Sequence, residues 1–344
     1  MPTRPLTLLL PLVASLAGGC VPNAQAADDE RLRVVATTGM VADAVVRIAG
    51  ERVHLHSLMG PGIDPHLYKA TAGDVRAIAA ADLILYNGLH LEAATGEVLA
   101  EMGRRTRTVA IAESIPVDRR IRSDAFGGAY DPHVWFDVSL WSQAVRAAAD
   151  ALIAADPPNA AEYEAATREY LAELGELHEW VAREIARIPA DQRVLITAHD
   201  AFGYFGRAYD VQVEGLQGLS TATEAGTADV QRLANLIAAR GIPSVFVETS
   251  IPRRTIEAVQ AAARARGAVV AIGEPLFSDA LGSSGTPEGT YVGMVRHNVR
   301  AIVNGLGATA GIVAEVGAAF PGATTGSEAL SAQPAVPDGA GAVE

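Results

Sequence analysis

Two identical tripeptides, Asp-Pro-His, occur in the chain and end at His66 and His133. The proline before each histidine fixes the local backbone, so each imidazole is held rather than free to move. His199 closes an apolar, β-rich run, and Asp279 follows another such run by a few residues. Ligands of open parallel sheets gather outside the carboxyl ends of the strands, so these four side chains could face one another across a cleft. Three imidazoles and one carboxylate suit Zn²⁺ and accept Mn²⁺, whereas Ca²⁺ and Mg²⁺ prefer oxygen ligands.

Carboxylates beside these positions are candidate partners of the imidazoles. Asp64 and Asp131 are either turn residues before proline or hydrogen-bond acceptors for a ligand imidazole. Glu248, at the end of a predicted strand, and Asp200, next to His199, are reserve carboxylates for the same site. The remaining histidines are expected to be structural or solvated: His54, His56, His90, His178 and His297.

The composition excludes several classes of function. Lys plus Arg total 27 against 40 Asp plus Glu, a formal net charge of −13 without any long basic run, so nucleic-acid binding is not expected. The single cysteine, Cys20, excludes an intrachain disulfide, an iron–sulfur cluster and a cysteine-rich zinc site. No H-E-x-x-H, G-x-S-x-G, P-loop or G-x-G-x-x-G context is present. A tetrahedral shell filled by protein leaves no position for an activated water, which favours binding over hydrolysis.

The elements that must position these residues alternate between short apolar runs and helical stretches from residue 31 onward. Two sets of four runs predict strands, at 34–37, 54–59, 83–86 and 109–112, and at 194–198, 211–216, 245–248 and 269–272. The helical stretches include 42–49, 74–81 and 231–240, the last closed by Gly241. The pattern predicts an α/β protein with two lobes, each a four-stranded parallel sheet flanked by helices.

A stretch without internal proline, residues 159–188, carries apolar residues three or four positions apart and predicts one continuous, rigid helix. It would be about 45 Å long, enough to run across two small lobes and fix their relative position. Asn159 and Glu162 resemble a capping box, and Gly175 costs about 1 kcal/mol relative to alanine in a helix interior. An ordinary long helix within a single domain is the alternative. We predict an N-terminal lobe at 31–157, a linking helix at 158–188 and a C-terminal lobe at 189–306.

The two ends of the chain are predicted to lie outside these lobes. Residues 1–27 have the layout of a secretory signal peptide, and no later segment is apolar enough to cross a bilayer. Small residues before Cys20 resemble a lipobox that would leave this cysteine acylated, whereas residues 24–26, Ala-Gln-Ala, resemble an ordinary signal-peptidase site. The tail at 307–344 is rich in Gly, Ala, Pro, Ser and Thr, which is typical of a disordered segment.

Five segments of the chain resemble the zinc/manganese solute-binding proteins of bacterial ABC importers, the TroA/ZnuA-type family. They are Gly-Ile-Asp-Pro-His-Leu-Tyr (62–68), Asn-Gly-Leu-His-Leu-Glu (87–92), Asp-Pro-His-Val-Trp-Phe-Asp (131–137), Thr-Ala-His-Asp-Ala-Phe-Gly-Tyr-Phe (197–205) and Phe-Ser-Asp-Ala-Leu-Gly (277–282). The resemblance covers residues 32 to 306 and implies two lobes with the metal between them. Carried over by position, it implies nitrogen ligands from His66, His133 and His199 and an oxygen ligand from Asp279. The manganese-type branch usually has glutamate at the third position, so this chain is more similar to TroA-type members.

The resemblance implies a monomeric protein of the periplasm or extracytoplasmic face, with Cys20 as the candidate lipid anchor. It would capture Zn²⁺ or Mn²⁺ and deliver it to the membrane permease of an ABC importer, without catalysis. Zinc-dedicated members often carry a histidine-rich loop before the second ligand, but residues 113–130 contain no histidine, so the metal stays open. Because the linking helix should resist wide hinge opening, release is expected through a modest movement of the C-terminal lobe and its loops.

Two other classes of function stay open at this point. A secreted zinc-dependent hydrolase would need an open coordination position and a general base, and it would show turnover. A surface adhesin or scaffold, with a role in cell adhesion, would not require metal at all. Metal binding that stabilises the folded chain would therefore argue against a scaffold.

Overall fold

The computed structural model describes residues 30–307. The predicted signal peptide at 1–27 and, beyond Gly307, the predicted disordered tail therefore lie outside the described residues. By its contacts the chain divides at Arg31, and every strand and helix below belongs to the unit that begins at Leu32. Within the described part of the chain, no helix has the length and apolar character needed to span a membrane.

Strands and helices alternate along the chain, as the sequence predicts. The strands are β1 (Leu32–Ala36), β2 (Val53–Ser57), β3 (Leu83–Tyr86), β4 (Arg107–Ala110), β5 (Val194–His199), β6 (Gln212–Gln217), β7 (Ser244–Val245) and β8 (Ala271–Ile272). The α-helices are α1 (Gly39–Ala49), α2 (Ala72–Ala80), α3 (Gly96–Met102), α4 (Val138–Ala155), α5 (Ala160–Ile185), α6 (Gly203–Tyr209), α7 (Thr227–Arg240), α8 (Arg254–Arg264) and α9 (Tyr291–Leu306). The predicted stop at Gly241 is confirmed, since this residue ends α7 in the left-handed region with φ of 60°.

The first four strands form one parallel sheet in the order β2-β1-β3-β4. Val34 of β1 pairs with Leu55 of β2 on one side and with Leu83 of β3 on the other. Six apolar residues of these middle strands, Val34 to Ala36 and Leu83 to Leu85, are buried, as expected of a parallel sheet that helices cover on both faces. The predicted run 109–112 stops being a strand at Ala110, because the Ser114 hydroxyl donates to the Ile111 carbonyl and closes a 3₁₀ turn.

The last four strands form two parallel pairs, β5 with β6 and β7 with β8, where the sequence predicts one four-stranded sheet. Strand β7 is only two residues long, although its apolar run continues to Glu248. The Phe246 amide donates to the Ile196 carbonyl of β5 at 2.9 Å, and Glu248 makes an isolated bridge to Leu276. The Leu276 amide also donates to the Val247 carbonyl at 2.9 Å, so the two pairs are neighbours and the residues after β7 bond to both sides without extending either ladder as a regular strand.

Helix α5 is the long helix that the sequence predicts, shorter by a few residues and about 39 Å long. The predicted capping box at its start is wrong, because the Asn159 side chain makes no capping bond. Its amide donates instead to Asp156 Oδ2 at 2.7 Å, and the Tyr163 hydroxyl donates to the same carboxylate at 2.6 Å. The predicted stripe is buried at Tyr163, Tyr170, Leu174, Leu177, Val181, Ile185 and Ile188, whereas Ala166 is half-buried and its neighbour Thr167 is buried in its place.

One hydrophobic cluster runs through both halves of the molecule. It joins Trp135 of the first half to Phe202, Leu276 and Tyr291 of the second. Helix α9, at the end of the second half, packs against α5 and also against α1 of the first half. The Tyr291 amide donates to Asp43 Oδ2 of α1 at 3.2 Å. A wide hinge motion would have to open this shared core.

Candidate metal centre

Four side chains from distant parts of the sequence converge in the structure. His199 is the last residue of β5, and His66 lies in the loop between β2 and α2. His133 directly precedes a short 3₁₀ turn that leads into α4, and Asp279 lies in the loop between β8 and α9. These are the four residues that the sequence singled out as candidate ligands, and the structure brings all of them together.

The atoms that converge are the Nε2 atoms of the three histidines and the Asp279 carboxylate. One possible ligand atom from each residue lies within 4.8 Å of every other. The Nε2 atoms of His66 and His133 are 3.3 Å apart. From the Asp279 oxygens, His199 Nε2 is 3.2 Å away, His133 Nε2 is 3.5 Å away and His66 Nε2 is 3.9 Å away. Ligand atoms about 2.1 Å from a tetrahedral Zn²⁺ lie about 3.4 Å from one another, so the cluster has the size of such a shell.

Burial and unsatisfied polar atoms also fit a cation at this position. His133 and His199 are fully buried, Asp279 is 2% exposed and His66 is 6% exposed. Among the described residues, no hydrogen bond of good geometry reaches either Asp279 oxygen or His199 Nε2, although Asp279 Oδ2 lies 3.2 Å from that nitrogen. A buried polar atom left without a partner costs about 1–3 kcal/mol. A cation bound by these atoms would remove that cost.

Two of the three imidazoles are held from behind by a carboxylate. Asp131 Oδ1 accepts the backbone amide of His133 at 2.9 Å and lies 2.7 Å from its Nδ1. Glu248 Oε1 accepts the backbone amide of His199 at 2.9 Å, and its Oε2 lies 2.6 Å from that ring's Nδ1. A carboxylate at Nδ1 keeps the proton there and leaves Nε2 as the metal-binding atom.

The third imidazole, that of His66, has no carboxylate hydrogen-bonded to its Nδ1 atom among the described residues, although Asp64 lies beside it. Asp64 Oδ1 accepts the backbone amide of His66 at 2.9 Å, in parallel with the other two sites. Its second oxygen accepts the Thr221 hydroxyl at 2.5 Å. No described residue hydrogen-bonds to the Nδ1 atom of His66. Of the candidate partners, Asp131 and Glu248 therefore contact an imidazole ring, whereas Asp64 contacts only the backbone of its histidine.

The charges of the cluster shift its ionisation in opposite directions. Burial lowers the pKa of His66 to about 3, so this imidazole is neutral at physiological pH. Burial also disfavours a charged His199, but the carboxylates of Glu248 and Asp279 outweigh it and raise the pKa of His199 well above its ordinary value. Burial alone would raise the pKa of Asp279, yet the neighbouring imidazoles, His199 foremost, hold it well below its usual range. Asp279 is thus a carboxylate, as a ligand must be.

A buried polar network that the sequence reasoning did not assign holds the loop before His133. Glu92 is 3% exposed, and its carboxylate accepts the Thr37 hydroxyl at 2.7 Å and the amides of Asn87 and Gly88 at 2.8 and 3.1 Å. The Asn87 side chain donates to the Pro132 carbonyl at 3.0 Å, one residue before His133. A signal was available for one of the two residues, because Asn87 is polar and directly follows the apolar run of β3, whereas Glu92 lies five residues further on.

Aromatic side chains fix the other loops of the cluster. Trp135 Nε1 donates to the Ser278 carbonyl at 3.0 Å, which ties the loop of His133 to that of Asp279. The Tyr291 hydroxyl donates to the Trp135 carbonyl at 2.7 Å, and the Tyr204 hydroxyl donates to the Asp131 carbonyl at 3.0 Å. Each bond crosses between the two halves, so the sequence offers no local signal for it.

The histidines that were expected to be structural or solvated lie outside the cluster. His56 faces Asp74 at 3.6 Å, His178 Nδ1 lies 2.9 Å from the Tyr209 hydroxyl, and His297 Nε2 lies 2.9 Å from the Pro275 carbonyl. His54 is on β2, and His90 is exposed in the loop after β3. The reserve carboxylate Asp200 is not part of the cluster, and burial raises its pKa.

Comparisons with known proteins agree on one group. The family described as zinc-uptake complex component A, periplasmic (ZnuA) has a model that matches residues 34–305. The chain is 52% identical over 281 residues to the zinc-binding protein TroA of Treponema pallidum (strain Nichols), covering 82% of this chain and 91% of TroA. It is 45% identical over 292 residues to the manganese-binding lipoprotein MntA of Bacillus subtilis (strain 168), covering 85% of this chain and 95% of MntA.

The solved structure of the periplasmic zinc-binding protein TroA from Treponema pallidum matches with a TM-score of 0.79 at 52% identity, covering 80% of this chain and 99% of that one. The structural match confirms the predicted two-lobed α/β fold.

Proposed function

The chain belongs to the ZnuA family of periplasmic zinc-uptake components, and on that premise we propose that it captures one Zn²⁺ or Mn²⁺ ion for an ABC importer. The observation that carries this proposal is the buried cluster of three Nε2 atoms and one carboxylate. We assign His66, His133 and His199 as nitrogen ligands and Asp279 as the oxygen ligand. Asp131 and Glu248 would orient two of these imidazoles and raise their basicity.

The same cluster supports binding rather than catalysis. Four protein ligands complete a tetrahedral shell, so no position remains for the water that a zinc hydrolase activates. The four residues are at most 6% exposed, which also keeps substrates larger than an ion away from the metal. A secreted hydrolase and an adhesin or scaffold are both less well supported than transport, since neither explains a buried ligand set in a family of uptake components.

The choice between Zn²⁺ and Mn²⁺ follows from the donors in part. Imidazole nitrogens favour Zn²⁺ over Mn²⁺ in raw affinity, while the carboxylate accepts either ion. One relative is named for zinc and another for manganese. We expect tighter binding of Zn²⁺ in vitro, with the physiological cargo set by which metal is available outside the cytoplasm.

Location and partners follow from the same proposal. The relative from Bacillus subtilis is a lipoprotein, and we propose that Cys20 is a lipid anchor that holds this chain at the extracytoplasmic face. Lobes at 31–157 and 189–306 would present the loaded metal to a membrane permease, and a single chain supplies every ligand, so a monomer suffices. Labelling with a radioactive fatty acid should mark the wild-type protein and not Cys20→Ser. An unlabelled wild type would instead indicate a free periplasmic protein.

A metal titration tests the binding function. Purified protein titrated with Zn²⁺ or Mn²⁺ should saturate at about one equivalent and gain thermal stability, because an ion that binds only the folded state stabilises it. The Trp135 ring lies 5.2 Å from that of His133, so its fluorescence should change on binding. His133→Ala should abolish the change, while His90→Ala, an exposed histidine outside the cluster, should behave as wild type. Equal binding by the wild type and His133→Ala would reject the assignment.

A further inference from the structure

The three histidines of the cluster differ in what holds them. Each has a carboxylate that accepts its backbone amide: Asp64 for His66, Asp131 for His133 and Glu248 for His199. In the last two pairs the same carboxylate also contacts the ring at Nδ1. The second carboxylate oxygen of Asp64 does not contact the His66 ring; it accepts the hydroxyl of Thr221 from the C-terminal half of the chain. The ring of His66 is therefore the least constrained of the three.

The loop around His66 is also the least packed of those that supply a ligand. Ile63 is 39% exposed and Leu67 is 52% exposed, although both are large apolar side chains. A cavity of about 560 Å³ lies beside the loop, bounded by Asp64 and Leu67 on one side and by residues such as Ile251 of the C-terminal half on the other. A segment with few buried apolar contacts opens at low free-energy cost, and the cavity gives it room to move.

The loops of the other ligands are fixed to the core. Asn298 of α9 accepts the Phe277 amide at 2.9 Å and donates to the Phe277 carbonyl at 2.7 Å, two residues before Asp279. Trp135 ties the neighbouring Ser278 to the loop of His133. His199 is the end of a strand whose residues are buried throughout. Movement of any of these three ligands would break core contacts.

We propose that the hydrogen bond between Asp64 and Thr221 is a latch that holds the His66 loop closed over the metal and sets the rate at which the ion enters and leaves. The bond spans 157 residues of sequence and joins the loop to the C-terminal half. When it opens, His66 withdraws from the metal while the other three ligands stay in place. The proposal rests on the proposed metal binding, and it places the moving part in the N-terminal loop rather than in the C-terminal lobe, where the sequence predicted it.

Metal exchange kinetics test the latch. The full-length protein is loaded with Zn²⁺ and mixed with excess EDTA in a stopped-flow instrument, and the release rate is measured for the wild type and Thr221→Val. Valine keeps the shape of threonine and removes the hydroxyl. We expect release about tenfold faster, since a hydrogen bond to a charged group is lost, and association at least as fast as in the wild type. Damage to the site itself would instead slow association.

The chain offers a matched control in the same loop. Thr223 is exposed, and its hydroxyl forms no hydrogen bond among the described residues, so Thr223→Val should release metal at the wild-type rate. Thr221→Ser keeps the hydroxyl and should also restore slow release. Thr221→Ala provides a second test should the valine variant unfold, and thermal unfolding of the metal-free proteins verifies that each variant is folded.

The outcomes separate the latch from the function it serves. A wild type that binds Zn²⁺ tightly, together with a folded Thr221→Val that releases it at the wild-type rate, overturns the latch and leaves the binding function standing. Faster release in Thr223→Val and Thr221→Val alike also overturns it, because the effect would then belong to the whole loop. A wild type that binds neither Zn²⁺ nor Mn²⁺ overturns the proposed function, and the latch with it.

Discussion

The two sides of the metal centre differ in how deeply their histidines are buried and in how firmly their imidazoles are held. On one side, His133 and His199 are fully buried and each has a carboxylate behind the ring. On the other side, His66 is 6% exposed, has no hydrogen-bond partner at Nδ1 among residues 30–307 and lies in a loop with exposed apolar residues. A transport protein must hold its ion and later give it up. The difference shows how one site can do both, because rigid ligands supply affinity while a looser one supplies a route for exchange.

The physical basis of the rigid side is the orientation of the imidazole before metal arrives. A carboxylate at Nδ1 fixes the tautomer and the ring plane, so less conformational entropy is lost when Nε2 binds the ion. Hydrogen bonds from Glu92 to Asn87, and from the Asn87 side chain to the Pro132 carbonyl, also fix the backbone before His133. The His66 loop lacks such support and depends on Asp64, which is shared with the opposite half.

Removing a ligand on the rigid side should have the largest effect. His133→Ala and His199→Ala should each weaken Zn²⁺ binding more than about 100-fold, beyond the 10–100-fold typical of residues behind a ligand. Each also leaves a buried carboxylate without its imidazole. His66→Ala should lose less affinity, because the three fixed ligands remain in place. Competition with a chelator of known affinity measures all three, and a ranking with His66→Ala as the weakest binder would contradict the comparison.

Neutralising the carboxylates should rank next. Asp131→Asn and Glu248→Gln should each lower Zn²⁺ affinity about 10- to 100-fold, because the ring loses its orienting charge. Asp64→Asn should cost less equilibrium affinity, since Asp64 does not contact the ring of His66. The same competition assay applies, with circular dichroism to show that each variant is folded. Similar losses in all three variants would mean that the two sides do not differ.

The pH dependence should come from the rigid side alone. The pKa of His199 is raised well above its ordinary value by Glu248 and Asp279 against the opposing effect of burial, so metal must displace a proton from this residue. The pKa of His66 is about 3, so this residue releases none at neutral pH. Because protons compete with the metal, affinity should fall as the pH is lowered, by about tenfold per pH unit for each displaced proton. Calorimetry in buffers of different ionisation enthalpy counts the protons, and pH-independent affinity would contradict this prediction.

A substitution in α5 that changes only the stability of the fold should have the smallest effect on metal binding. Gly175 lies in α5, is exposed, and a Cβ added there would meet nothing within 4 Å. Gly175→Ala should raise the free energy of unfolding by about 1 kcal/mol, because alanine has the higher helix propensity. Denaturant unfolding measures this, and Zn²⁺ affinity and release should stay at wild-type values. If Gly175→Ala altered Zn²⁺ affinity, the effects of the ligand and carboxylate variants could arise from changes in global stability and not from the two sides of the metal centre.

Much of the fold could be predicted from the sequence because its signals are local. The run at 83–86 is the observed β3, and the other N-terminal runs overlap the strands that the structure contains. The three- and four-residue spacing within 159–188 predicts α5, since one face of that helix must be buried. The repeated Asp-Pro-His tripeptides and the strand end at His199 made three histidines candidate ligands, and the family resemblance supplied the complete set, with Asp279, that the structure clusters.

Other features were decided only by tertiary packing. Asn159 has the residue type of a helix cap, but Asp156 competes for its side chain and no cap forms. The run at 245–248 has the composition of a strand, but regular pairing with β8 is limited to Ser244 and Val245, so the second half contains two strand pairs.

The chemistry of the four ligands was thus determined by the sequence itself, because residue type fixes which atoms can bind a metal. Which ligand is rigid and which is free to move was decided by contacts between residues far apart in the chain, such as Asp64 with Thr221 and Trp135 with Ser278. Local patterns reflect neighbours a few positions away, through helix and strand periodicity. Long-range partners depend on how the completed elements pack, so only the folded structure distinguishes the two sides of the metal centre.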